Sequence, residues 1–325
     1  MATRADDIID RRRLRRKLTF WRVATLLVAA IAVAVASYWT WRQAVGGAAG
    51  PHIAKVRIEG TITEDEELLE RLKKVRESEA VKGVILTIDS PGGTTVGGEA
   101  IFEEVRLLAA AKPVVAQVGT LAASAGYMIA SATDHIIARQ SSIVGSIGVL
   151  LQFPDVSGLM DKLGIKMESI KSSPLKAEPS PFNPTTEEER AMIRAMILDS
   201  YDWFVGLVEE RRPLSRAEVL KLADGSVFTG RQALENKLVD GLGGEREAVD
   251  WLEEKGVDTG LDVIEWKPDE NSGALSFLAS ARNLVGGWFG LPVDGMGIIR
   301  ELGADRIFLD GMLSVWQPDE NAISN

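Results

Sequence analysis

Gly119-Thr-Leu-Ala-Ala-Ser-Ala-Gly126 is the stretch on which the reading of this 325-residue chain turns. Pro113-Val-Val-Ala-Gln-Val118 leads into it, apolar and β-branched as a buried strand is, and a run of small residues leads out toward Ala130. Strand, glycine-rich bend and helix start, in that order, present the hydroxyl of Ser124 at a helix N-terminus. Unpaired backbone N–H groups and the helix dipole favour developing negative charge there. A tightly packed helix start with a capping serine fits the same residues. Three other stretches weigh against that plainer reading: Asp89-Ser-Pro-Gly-Gly93, Gly145-Ser-Ile-Gly148, and the lysines from Lys171 to Lys176.

Working outward, Ile53-Ala-Lys-Val-Arg-Ile58 alternates as a half-buried strand does, and Glu64 to Glu79 spaces Leu68, Leu69, Leu72 and Val75 as one face of a helix. Val84-Ile-Leu-Thr-Ile88 is a short β-branched run suited to a parallel strand covered on both faces. Glu99 to Ala111 again reads as helix. Strand and helix alternating at this rhythm predict an α/β architecture of βαβ type. Beyond Ser124, His135-Ile-Ile-Ala138, Ile147-Gly-Val-Leu-Leu151 and Lys166 to Lys171 are predicted as strands, and Asp155 to Leu163 as a helix. Ser172 to Pro184 holds four prolines and reads as a loop. Thr185-Thr-Glu-Glu188 has capping-box spacing and opens a long amphipathic helix that Pro213 ends. Ser215 to Ala223 and Gly230 to Asn236 are predicted as short helices.

The amino end is of another kind. Residues 1–22 are strongly basic, notably Arg11-Arg-Arg-Leu-Arg-Arg-Lys17. Residues 23–41 are uncharged and rich in Ala, Val and Leu until Tyr38, Trp39 and Trp41, enough for one transmembrane helix with an aromatic exit. The positive-inside rule keeps the amino terminus cytoplasmic and the rest of the chain beyond an inner membrane. Ala34-Val-Ala36 offers the rival reading of a signal-peptide cleavage site, although the apolar run continues past it. Residues 42–52 read as a linker, 53–255 as the folded domain, and 256–325 as an extension of unknown role, Gly-rich from Lys267 on with scattered Trp and Phe, expected to pack on the body or on a partner subunit, with resting on the membrane surface as the other reading.

Composition narrows the chemistry. The formal net charge of −10 argues against general nucleic-acid binding. The absence of cysteine excludes disulfides and thiolate catalysis, and two histidines are too few for a histidine-rich metal site. A serine needs a base. His52 lies at the edge of the domain next to the expected membrane, and His135 opens a predicted strand. A lysine serves if its surroundings keep the amine neutral.

Asp89-Ser-Pro-Gly-Gly93, Ala122-Ala-Ser-Ala-Gly-Tyr127, Gly145-Ser-Ile-Gly148 and the Lys176-Ala-Glu-Pro179 region occur in the order seen in the signal peptide peptidase A family. Over roughly Ile53 to Lys255 the chain resembles the short, single-domain form of these membrane-anchored proteases. The resemblance implies a Clp/crotonase-like fold of stacked ββα units and a Ser–Lys dyad. By motif, Ser124 is the nucleophile, Lys176 the general base with Lys171 as competitor, and Ser146 the serine that orients the lysine. The backbone N–H groups of Gly93 and Ala125 form the oxyanion hole. Ala125 stands where the family more often has Gly, a change that keeps the N–H.

The resemblance further implies signal peptides and other apolar peptides as substrates, assembly as a homo-oligomeric ring or dome, and no metal or cofactor. Other readings are a protease of the same fold acting on intact membrane proteins, an acyl-thioester enzyme, or a silent tethered scaffold.

Overall fold

The computed structural model describes residues 50–268 and 313–315, with Trp21, Ala24, Thr25, Leu27, Val28 and Ile31 as isolated positions. The chain divides into two units, Met1–His52 and Ile53–Asn325. In the first, the isolated positions have helical backbone, and the Thr25 hydroxyl donates to the Trp21 carbonyl at 2.8 Å. Trp21, Leu27, Val28 and Ile31 are exposed. The expected span at 23–41 lies largely outside the described residues. Among those described, no helix is long and apolar enough to cross a membrane.

The second unit is a mixed α/β body around one sheet. In chain order it runs β1 (His52–Ile62), α1 (Glu66–Glu77), β2 (Val81–Thr94), α2 (Thr95–Ala111), β3 (Val114–Ala123), α3 (Ala125–Ser131), β4 (His135–Ala138), β5 (Ile143–Gly145), α4 (Ser157–Leu163) and α5 (Glu187–Arg211). Then follow α6 (Arg216–Leu222), β6 (Val227–Thr229), α7 (Gly230–Glu235), β7 (Gly241–Leu242), α8 (Glu245–Glu254), β8 (Val263–Glu265) and β9 (Leu313–Val315). The sheet path is β6-β5-β3-β2-β1-β8, and β4 and β7 extend it beside β3.

β2 and β3 pair in parallel from Val84↔Val114 to Ile88↔Val118, and alternation along them sends side chains to two different cores. Val84, Leu86, Ile88, Val114, Ala116 and Val118 face a large cluster that also takes in Leu72, Leu108, Tyr127 and Phe204 from the helices. Ile85 and Val115 face a smaller one closed by Ala248 and Leu252 of α8. Both faces are therefore dry, which explains why these strands read as unbroken apolar runs. Each fully buried Ile or Leu contributes about 1.5–3 kcal/mol.

Two expected strands do not form. Pairing of β5 stops at Gly145, where φ reaches 110°, and Ser146 follows at φ 52°, so the chain turns out of the sheet before Ile147. Residues 166–170 lie exposed with no strand pairing.

Candidate active site

β3 carries Ser124 to its place in three steps. Its first half pairs with β4, from Val115↔His135 to Val118↔Ala138, and its second half with β5, from Leu121↔Ile143 to Ala123↔Gly145. The chain then reverses sharply into α3. Ser124 sits at that corner with φ 57° and ψ −120°, a region an L-residue occupies only when its surroundings hold it there. Its N–H donates to the Gly145 carbonyl at 2.8 Å, and its own carbonyl accepts the Met128 N–H at 2.9 Å. Its hydroxyl does not cap the helix, and the residue is only 1 % exposed. The plainer reading of the sequence, a helix-capping serine, is therefore not what this hydroxyl does.

Ser146 reaches the same neighbourhood by the same device. Ala123 and Gly145 are paired, so the residue following each strand, Ser124 on one and Ser146 on the other, leaves the sheet side by side. Ser146 also has positive φ, 52°, and its N–H is tied to the Ser226 carbonyl at 2.7 Å. β6 runs antiparallel along β5 and supplies that anchor.

The two residues expected to form the oxyanion hole, Gly93 and Ala125, lie on β2 and α3. Past Ile88 the β2–β3 register shifts to Ser90↔Ala122, so that Gly92 and Gly93 run on beyond the end of β3. A Cβ on Gly93 would lie 1.7 Å from the Ile62 carbonyl oxygen, so no side chain fits there. Ala125 is the first residue of α3 and fully buried; a Cβ added to Gly98 of α2 would come within 3.1 Å of the Ala125 methyl. Its N–H is among the first of the helix and has no partner within it.

Several residues that hold this corner were not singled out from sequence. The Asp89 carboxylate accepts from Thr120 N–H at 3.3 Å and Leu121 N–H at 3.1 Å, fixing the approach to Ser124. The Ser90 hydroxyl donates to the Gly60 carbonyl at 2.6 Å and accepts the Gly92 N–H at 3.0 Å. Both lie inside Asp89-Ser-Pro-Gly-Gly93, where short polar residues before a turn are the available signal. Behind α3, the Tyr127 hydroxyl donates to the Leu238 carbonyl at 2.9 Å, and complete burial pushes its pKa well above the ordinary phenol value. Arg212 forks onto both oxygens of Asp240 at 2.7 and 2.9 Å, and Asp240 accepts the Ile136 N–H at 2.8 Å. At the far end of α3, Arg106 donates to the Ala132 carbonyl at 2.7 Å and Arg211 to Ser131 at 3.2 Å, where cations also suit the helix dipole.

The lysines stand apart. Lys171 is ion-paired with Glu178, whose side chain is only 7 % exposed. Lys176 is exposed, and among the described residues its amine makes no hydrogen bond or ion pair. The hydrogen bonds of its segment, such as Val156 N–H to Pro181 at 2.8 Å and Ile165 N–H to Met160 at 3.0 Å, run within residues 155–183. The single chain thus brings Ser124, Ser146 and Ala125 to one corner, with Gly93 on the strand tail beside it, and leaves Lys176 on an outlying arm. Among the described residues no His, Cys, Asp or Glu cluster could hold a metal ion.

His135 is no partner for Ser124. Its ring stacks on Trp251 at 5.0 Å, with Nδ1 3.9 Å from Asp240, and burial depresses its pKa.

A mixed sheet that turns a buried serine out at a strained strand-to-helix corner, beside a strand tail bearing Gly92 and Gly93, is a fold of the Clp-protease type. Comparison with known proteins agrees. The Clp protease model matches residues 54–144, and the model of peptidase family S49 matches residues 106–258.

A protein named as signal peptide peptidase SppA in Enterococcus faecium is 35% identical over 259 residues, covering 75% of this chain and 74% of that protein. One named as a protease in Methanocaldococcus jannaschii is 41% identical over 206 residues, covering 63% and 65%. Protease 4 of Haemophilus influenzae is 35% identical over 278 residues; the match covers 79% of this chain but 45% of the longer relative. The chain belongs to peptidase family S49, a family of serine proteases.

Proposed function

We propose that this chain is a membrane-anchored serine endopeptidase that cleaves apolar, extended peptides, remnant signal peptides foremost, with a Ser124–Lys176 dyad. The observation that carries the reading is the corner at Ser124: a buried, uncapped serine held at positive φ where strand becomes helix. Neutral Lys176 takes the proton from Ser124, whose oxygen attacks the scissile carbonyl, and the N–H groups of Gly93 and Ala125 receive the oxyanion. Such donors are worth about 3–4 kcal/mol of barrier each. The lysine returns the proton to the leaving amine, and water then releases the acyl group by the same path. Ser146, beside Ser124, orients the amine.

A dry setting is what favours a neutral lysine amine, so the mechanism asks for a cover over this arm. We assign that part to a second copy of the chain. The arm that bears Lys176 also presents Leu159, Leu163, Ile165, Met167 and Ile170 to solvent, the last 100 % exposed. That is an apolar surface of the kind subunits bury. Clp-type folds fit such assemblies. In this reading residues 1–22 are the basic cytoplasmic arm, 23–41 the anchor and 42–52 the linker, with the peptidase domain, 53–255, on the extracytoplasmic side. Exposed Leu27, Val28 and Ile31 suit a lipid-facing helix.

The test is product analysis. A mixture of synthetic signal peptides is incubated with the detergent-solubilised full chain and with Ser124→Ala, and products are read by mass spectrometry. Fragments from the first and none from the second are expected; equal fragments from both overturn the reading.

A further inference from the structure

One edge of β1 is covered for only part of its length. β8 pairs with it from Ile53↔Val263 to Lys55↔Glu265, and the Trp266 N–H then donates to the Lys55 carbonyl at 2.9 Å. The N–H and C=O of a strand residue point to the same side and alternate along the strand. Lys55 addresses the β8 side, so Arg57 and Glu59 do as well, and among the described residues no strand stands opposite them.

A pocket of about 310 Å³ opens along this bare edge. Ile62, Leu68 and Trp266 give it apolar walls, and Arg71 and Lys267 also line it. The carboxylates of the lining are engaged. Arg57 bridges Glu59 and Glu265 at 2.9 Å to each, and Asp65 caps α1 by accepting the Leu68 N–H at 3.0 Å. Arg71 is not engaged: among the described residues its guanidinium has no hydrogen-bond or ion-pair partner, and its Nε is buried. Lys267 has no partner among them either. A partly desolvated guanidinium with no acceptor is a site short of its anion.

We propose that this pocket takes the free carboxyl end of an apolar peptide, laid as a short strand along Arg57–Glu59 with its carboxylate between Arg71 and Lys267. An arginine fork matches a carboxylate in two parallel bonds, and a bare strand edge beside apolar walls receives extended chain. Ile62, one wall of the pocket, has its carbonyl against Gly93, so the held end lies about one strand spacing, roughly 5 Å, from the expected oxyanion strand. The proposal rests on the peptidase reading for the source of the peptide. A remnant signal peptide ends in a carboxylate at the point where its precursor continues as chain, so this pocket accepts the remnant and turns the precursor away.

Binding is measured on the full-length Ser124→Ala protein in detergent, so that no cleavage intervenes. The probe is a fluorescein-labelled apolar peptide with a free carboxyl end, compared by anisotropy with the same peptide amidated. The acid is expected to bind about tenfold tighter than the amide. Adding Arg71→Met with Lys267→Met should erase that preference, and Lys267→Met alone, at an exposed position, should reduce it. Equal affinity for acid and amide before either change, or a preference that survives the double change, overturns the proposal. Displacement of the peptide by a fatty acid of similar length at equal concentration overturns the peptide as occupant. The peptidase reading fails separately: the chain with Ser124 intact then leaves acid and amide uncut, whatever their affinities.

Discussion

At the scale of single residues, the site is a set of backbone conformations held against their own preference. Ser124 and Ser146 both carry positive φ, at 57° and 52°, and each is tied by its N–H to a neighbouring strand or loop. Such positions cost roughly 1–3 kcal/mol each, and the surrounding hydrogen bonds and packing must offset that.

His135 shows the same environment acting on a titration. Burial lowers its pKa below 6.5; Asp240 opposes that shift, and Arg212 and Lys255 reinforce it. The unfolded chain therefore binds more protons than the folded one between the unfolded value near 6.5 and the lower folded value. Stability rises with pH through that window and is lost as pH falls through it. His135→Gln should flatten that part of the slope in thermal denaturation followed from pH 7.5 to 5.5; an unchanged slope would show that the ring does not carry it.

At the scale of elements, α3 is the piece everything else positions. Every residue from Ala125 to Ser131 is buried, and the helix is gripped at its N-terminal corner by β5, behind by Tyr127 and at its end by two arginines. Tyr127→Phe removes the donor to the Leu238 carbonyl without opening a cavity. A loss of about 1–2 kcal/mol in urea unfolding is expected, the cost of one buried acceptor left unpaired; no loss would place the grip elsewhere.

Much of this element was legible in sequence. Pro113 to Gly126 reads as strand, bend and helix because small residues and β-branched residues separate there. The ties from Arg212 and Asp240 were not, since residues 28 apart in the chain meet only once α5 and β4 have packed. The strand expected at Ile147 failed for a local reason, the positive φ at Gly145 and Ser146, which apolar patterning does not register. The pairing of Leu313–Val315 with β2 had no sequence signal beyond a large apolar residue or two in a Gly-rich extension.

At the scale of the whole molecule, the proposed reaction asks for more than one chain. Lys171 is held by Glu178 and Lys176 is exposed, on an arm whose apolar side chains a second copy would cover. Leu163→Asp with Ile170→Asp places charge on two side chains that are 63 % and 100 % exposed in the single chain. In sedimentation velocity the full chain should run as an oligomer and this variant as smaller species with much-reduced peptidase activity. A variant that keeps both its size and its rate would remove the arm from the interface.

The central claim is that one hydroxyl, Ser124, is made nucleophilic by one amine, Lys176. A fluorophosphonate probe reports this directly: the assembled full-length protein is labelled, digested and mapped, beside Lys176→Met and Lys171→Met variants. The account predicts a single modified serine, Ser124, with labelling at least a hundredfold slower in Lys176→Met and near normal in Lys171→Met. Equal labelling in all three, or modification at another serine, would contradict it.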